Sequence, residues 1–171
     1  MVDMVCEWRL LVDRVGGELE IISKVGVGTT ARLTLPRHAP PDWFASQIAV
    51  AGYDEVVVVD DDPSIHEVWE GRFAALSEGG PLKLTHYSSL SELMKAAAVE
   101  KQDDRRSLFL MDYEFTGEPW NGLQVIEGLN LARNSVLVSS RYDDNAVPQE
   151  CLRLGVRLLP KFMAPRVPVL Q

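Results

Sequence analysis

The sequence predicts an α/β protein: a doubly wound, five-stranded parallel sheet preceded by a small helix-plus-hairpin segment. Three observations carry that expectation. Glu55-Val56-Val57-Val58-Val59 has no polar alternation, as expected of a strand buried on both faces of a parallel sheet. From Asp54 onward, short apolar runs alternate with helical stripes, the pattern of successive strand–helix units. Four of those runs also end in polar groups: Asp60 and Asp61, Asp112, Ser139, and Lys161. In a parallel sheet all of these fall at the carboxyl edge, where open α/β sheets place their ligand sites.

Taken in order, residues 1–37 form a first block. Val5, Trp8, Leu11, Val12 and Val15 make a helical stripe that Gly16-Gly17 ends. Residues 18–23 and 31–35 alternate around the turn Val25-Gly26-Val27-Gly28-Thr29-Thr30, which predicts a hairpin. Residues 38–53 read as a linker. His38-Ala39-Pro40-Pro41 breaks regular structure, while Trp43, Phe44 and Ile48 are apolar enough to dock on a neighbour. The second domain spans 54–171. Strands are expected at 56–59, 82–87, 107–111, 136–138 and 156–160. Helices are expected at 64–76, 89–99, 122–131 and 145–154. The charge run 100–106 reads as a solvated loop. Pro165 and Pro168 follow Lys161 too closely for a full closing helix, leaving apolar surface of the last strand for Trp43 and Phe44 or a partner to cover.

Composition excludes several functions. The chain has 171 residues and a formal net charge of −8, which argues against a nucleic-acid binder working by phosphate neutralisation. No apolar run approaches the ~20 residues of a membrane span, and the N-terminus has no signal-peptide pattern, so a cytoplasmic protein is expected. Cys6 and Cys151 lack metal-binding or disulfide spacing and read as core thiols.

Asp62-Pro63 is explained as a helix start, with Asp as cap and Pro at the first helical position. Asp60 and Asp61 are not explained that way. Two carboxylates ~4 Å apart repel by ~4 kcal/mol at an effective dielectric of about 20, a cost normally accepted where a cation neutralises it. His66 falls on the next helix and reads as a partly buried helix histidine. His38 and His86 show no partner spacing.

The runs Val-Val-Val-Val-Asp-Asp-Asp-Pro, Leu-Phe-Leu-Met-Asp-Tyr, Val-Leu-Val-Ser-Ser and Leu-Leu-Pro-Lys, in this order over residues 56–161, resemble the receiver domain of two-component response regulators. The resemblance implies a flavodoxin-like sheet of order 2-1-3-4-5, a topology that binds ligands at its carboxyl edge. It further implies Asp112 as phosphoacceptor, with Mg²⁺ held by Asp60, Asp61, Asp112 and the backbone carbonyl of Glu114. Ser139 and Lys161 would hold the phosphoryl oxygens. The partner would be a histidine kinase or a histidine phosphotransfer protein, and a homodimer is possible in this family. The alternative is a receiver-like interaction module whose chemistry is weak or lost. The chain departs from the family in a long loop from Asp112 to Gly122, in Phe162 rather than proline after the lysine, and in Leu158 at a position often aromatic.

Residues 1–37 resemble the last part of the ATP-binding domain of sensor histidine kinases, through Gly-x-Gly-Thr-Thr between two strands and the closing Leu-Pro. Together the two resemblances imply the C-terminal part of a hybrid histidine kinase. The other nucleotide boxes of that family have no counterpart in this chain, so no kinase activity is expected of it alone.

Overall fold

The computed structural model describes residues 2–78, 82–99 and 106–171. Residues 100–105 of the expected charged loop lie outside the described residues. The chain divides into two compact units, Met1–Pro40 and Pro41–Gln171.

The first unit is a helix, α1 (Val2–Arg14), and an antiparallel hairpin of β1 (Glu18–Lys24) and β2 (Gly28–Thr34). Gly16 turns the chain out of the helix at φ 71°, a conformation that glycine adopts without a Cβ penalty. Every described side chain of β2 is exposed, and Val12 is the buried hydrophobic of the unit among the described residues.

In the second unit a short β3 (Ile48–Ala49) precedes β4 (Glu55–Val59), α2 (Pro63–Glu78), β5 (Lys83–Tyr87) and α3 (Leu90–Val99). Then follow β6 (Ser107–Asp112), α4 (Gly122–Gly128), β7 (Ser135–Ser139), α5 (Ala146–Leu154), β8 (Arg157–Pro160) and a closing β9 (Val169–Leu170). The main sheet has order β5-β4-β6-β7-β8 with every neighbouring pair parallel. This is the doubly wound α/β sheet that the sequence predicted, in the flavodoxin-like strand order 2-1-3-4-5 that the resemblance implied.

The valine run shows why both faces must be apolar. Val56 and Val58 join the core on one face, with Trp69 and Phe73 of α2. Val57 and Val59 join the other, with Leu90 and Leu93 of α3, Leu123 and Ile126 of α4, and Val147 and Cys151 of α5. Burying each such side chain contributes roughly 1.5–3 kcal/mol. Helix α4 stops at Gly128, short of the expected 131. Asn130 takes φ 58°, and the Leu131 amide folds back to the Ile126 carbonyl at 2.8 Å, so the last residues form a cap followed by a single 3₁₀ turn.

No closing helix follows β8. Lys161–Met163 makes one 3₁₀ turn, and the chain then runs into β9, which pairs in parallel with β3. Residues 41–53, expected as a linker, belong to the compact second unit. Ala45, Ile48 and Val50 are buried in the α2-side core together with Ala164 and Val167 of the tail. Phe44 bridges Leu158, the Leu158 amide donates to the Trp43 carbonyl at 2.7 Å, and the Ala45 amide donates to the Leu158 carbonyl at 2.9 Å. The free edge of β8 is thereby paired, one of the ways proteins protect an exposed strand.

Ile48 is fully buried, so Ile48→Ala should lower the stability of the second unit by ~2–5 kcal/mol in denaturant unfolding. A change within about 0.5 kcal/mol, typical of an exposed linker position, would overturn the assignment of this segment to the core.

Candidate functional site

Three carboxylates converge at the carboxyl edge of the sheet. Asp60 directly follows β4, Asp61 comes next, and Asp112 ends β6; ligand atoms of the three lie within 4.8 Å of one another. Asp60 and Asp112 are buried, and Asp61 is exposed. Lys161, the first residue after β8, reaches in from across β7. Its Nζ lies 2.9 Å from Asp60 Oδ2 and 2.8 Å from Asp112 Oδ2.

Burial decides the charge states. It pushes the Asp112 carboxyl up to about 6, against the lowering effect of the Lys161 hydrogen bond, with the Asp60 charge adding to the rise. Burial likewise raises Asp60, outweighing Lys161 and the Asp62 amide, which donates to its Oδ1 at 2.9 Å. Asp61 is lowered, first by the Thr116 amide 3.0 Å from its Oδ2. Burial alone would depress the Lys161 ammonium, yet its bonds to Asp112 and Asp60 hold it above the usual range.

The opposite end of β4 provides a control. Glu55 is also buried, and burial is the largest influence on it. There, hydrogen bonds from Thr85, Lys83 and Ser107 together prevail, and the carboxylate stays below its ordinary value. Glu55 is a satisfied structural charge, whereas Asp60 and Asp112 are carboxylates left short of compensation.

Ser139 ends β7 in register with Pro160 and is buried, its Oγ accepting the Arg141 amide at 3.0 Å. Glu114 is exposed, with its side chain turned to Arg141 at 3.0 Å. Asp62 caps α2 through the Ser64 amide at 2.9 Å, as its position before Pro63 predicted. His66 is half-buried with both ring nitrogens engaged: Nε2 contacts the Asp60 carbonyl at 2.8 Å, and Nδ1 contacts Nδ1 of His86 at 2.6 Å. The contact gives His86 the partner that spacing did not reveal.

Two supporting residues escaped the sequence reading. Thr116 belongs to the long loop after Asp112 and ties that loop to Asp61 across the strand ends. Gly122 opens α4 so close to β6 that a Cβ there would lie 1.8 Å from the Asp112 carbonyl oxygen and 2.8 Å from Met111 Cγ. Asn121 fixes this approach with a reciprocal cap, bonding the Gln124 amide while the Gln124 side chain bonds its own. The only local signal was Asn-Gly at a helix start.

The donor set fits a hard divalent cation. It consists of oxygens alone, and one ammonium among three carboxylates leaves two formal negative charges. Each carboxylate oxygen already in a hydrogen bond retains a lone pair.

No protein-family model matches the chain, and no curated protein matches it. Several solved structures are similar to it. The BeF3-activated receiver domain of DrrB shares 13% identity at TM-score 0.47, over 63% of this chain and 82% of that one. A response regulator receiver domain from Rhodospirillum rubrum shares 14% at TM-score 0.47, over 67% and 96%. The signal receiver domain of a response regulator NarL from Mycobacterium tuberculosis shares 25% at TM-score 0.40, over 67% and 91%. The fold assignment stands on the strand order and register given above. Among the described residues, no helix is long and apolar enough to cross a membrane.

Gly122→Ala should destabilise the second unit by ~1–3 kcal/mol, because the added methyl meets backbone that cannot swing away. An unchanged denaturation midpoint would show that the loop yields freely.

The Asp112 shift has a definite sign. The folded carboxyl titrates at about 6 against 3.8 for the ordinary group, so the native state binds the extra proton in that window. Without divalent cations, stability should fall as pH rises from about 4 to about 6, by roughly 3 kcal/mol for this group. Asp112→Asn should flatten that fall and be more stable than wild type at neutral pH; an equal or lower neutral-pH stability would contradict the charge assignment.

Proposed function

We propose that the chain carries a phosphoacceptor module of the receiver type, in which Asp112 takes a phosphoryl group from a phosphohistidine. The observation that supports it best is the convergence of Asp60, Asp61, Asp112 and Lys161 from separate strand ends onto one point. A carboxylate oxygen of Asp112 attacks phosphorus, and the phosphorus–nitrogen bond to the donor imidazole breaks. The departing imidazole keeps the bonding pair and a proton. At about 6, the Asp112 carboxyl is mostly ionised at neutral pH and ready for that attack. Like charges oppose the approach, and the Lys161 ammonium beside Asp112 Oδ2 offsets the repulsion by engaging the incoming oxygens. Ser139 accepts from the Arg141 amide, so its own hydroxyl proton is free to be donated to a phosphoryl oxygen.

Asp60, Asp61, Asp112 and the Glu114 carbonyl are the groups we assign to Mg²⁺, which when bound would neutralise charge on the transferring group. A histidine kinase or histidine phosphotransfer protein is the matching donor, and a cytoplasmic location follows from that partnership. Within this reading, residues 1–37 are the end of a kinase ATP-binding domain, 38–53 lead on from it and pack into the module from residue 41 onward, and 54–171 form the rest of the receiver body of a hybrid kinase. The α1–β1–β2 order of the first unit supports the assignment of 1–37.

Acetyl phosphate with Mg²⁺ should add one phosphoryl group to the wild-type chain by intact mass, and none to Asp112→Asn. The same adduct on the variant would overturn the acceptor assignment. No adduct on the wild type, from acetyl phosphate or from a phosphorylated histidine donor, would favour an interaction module without chemistry.

A further inference from the structure

Lys161 is the contact between the acidic cluster and the far edge of the sheet, and it is held by the chain on both of its sides. Before it, Leu158 exchanges two backbone hydrogen bonds with Trp43 and Ala45. After it, the Ile48 amide donates to the Pro168 carbonyl and the Val50 amide to the Leu170 carbonyl, both at 2.8 Å. One strap, residues 43–50, thus clamps the lysine-bearing segment upstream and downstream. Its side chains Ala45, Ile48 and Val50 are buried in the same core as Leu159, Ala164 and Val167. Nothing else pairs with the outer edge of β8 among the described residues.

We propose that this strap is coupled to the acidic site through Lys161, so that loading of Asp112 is read out as loosening of residues 43–50. The inference rests on the phosphoacceptor reading and adds the route by which its state leaves the site. A phosphoryl group on Asp112 extends that side chain outward from the buried strand end. Lys161 is within hydrogen-bonding distance of both buried carboxylates, and it must move outward to hold the new oxygens. Packed backbone transmits such a shift rather than absorbing it. On β8 itself, the bonds placed to yield are the two that Leu158 makes with the strap, since the inner edge is held along its length by β7. Thermodynamic reciprocity then requires a loosened strap to favour the loaded site by the same factor.

The test uses the full chain, Mg²⁺ and beryllofluoride as a phosphoryl mimic, with binding followed by calorimetry. On binding, the Ala45 and Leu158 amides should exchange faster by about fivefold or more, with β5 amides on the opposite edge unchanged. In the reverse direction, Ile48→Val, a mild loosening of the strap remote from the carboxylates, should tighten beryllofluoride binding by at least about twofold. Binding that leaves these amides unchanged or slowed, or that alters both sheet edges alike, overturns the coupling while the phosphoacceptor reading stands. Unaltered or weaker affinity in Ile48→Val does the same. A chain that binds no beryllofluoride removes both.

Discussion

The ion pairs of Lys161 with Asp60 and Asp112 are the interaction on which the site depends. One ammonium serves two buried carboxylates, and burial still holds both above their ordinary range. Removing the lysine from such an arrangement leaves two desolvated carboxylates without compensation, which is the costly case for buried ion pairs. The geometry also ties the site to the topology. The lysine follows the edge strand β8 and the aspartates come from β4 and β6, so β4, β6, β7 and β8 must pair for the three groups to meet.

β4 carries a buried carboxylate at each end, and the difference between them separates structure from chemistry. Glu55 has an ammonium and two hydroxyls, and its environment favours the charged form. Asp60 is at least as buried and has a cation it must share. Under-compensated acidic groups at the carboxyl edge are the condition in which an added cation binds with advantage.

The fold was legible because its signals are local. Four successive valines can be buried only between two apolar layers, and Gly-Gly, Asp-Pro and Asn-Gly each mark an element boundary by backbone chemistry. Asp60, Asp61, Asp112, Ser139 and Lys161 were legible as strand-end residues, and the tail prolines correctly forbade a closing helix. What was not legible depends on distance in space. Docking of Trp43 and Phe44 on the last strand was legible from their apolar character, but the backbone bonds of 43–45 to Leu158 and the pairing of β3 with β9 become visible only once β8 is seen to have a free edge. Gly122 answers a 1.8 Å approach to the carbonyl of Asp112, set by how α4 lies on β6. His86 meets His66 across a helix and a strand, at a separation that no periodicity reports.

That histidine pair also determines where its protons sit. A backbone carbonyl can only accept, so His66 carries its proton on Nε2, toward Asp60, and its Nδ1 is an acceptor. His86 must then carry its proton on Nδ1, which turns a bare lone pair on its Nε2 toward the Glu70 carboxylate 3.8 Å away. That nitrogen is buried and makes no hydrogen bond, which is compatible with a lone pair facing a carboxylate that cannot donate. Of the tautomer combinations open to two neutral imidazoles, a single one satisfies both contacts. The hydrogen bonds therefore run in one direction only, from the β5 edge through α2 to the strand end that bears Asp60. A backbone carbonyl at the mouth of the acidic site is thus oriented by a relay that begins on the outermost strand of the sheet.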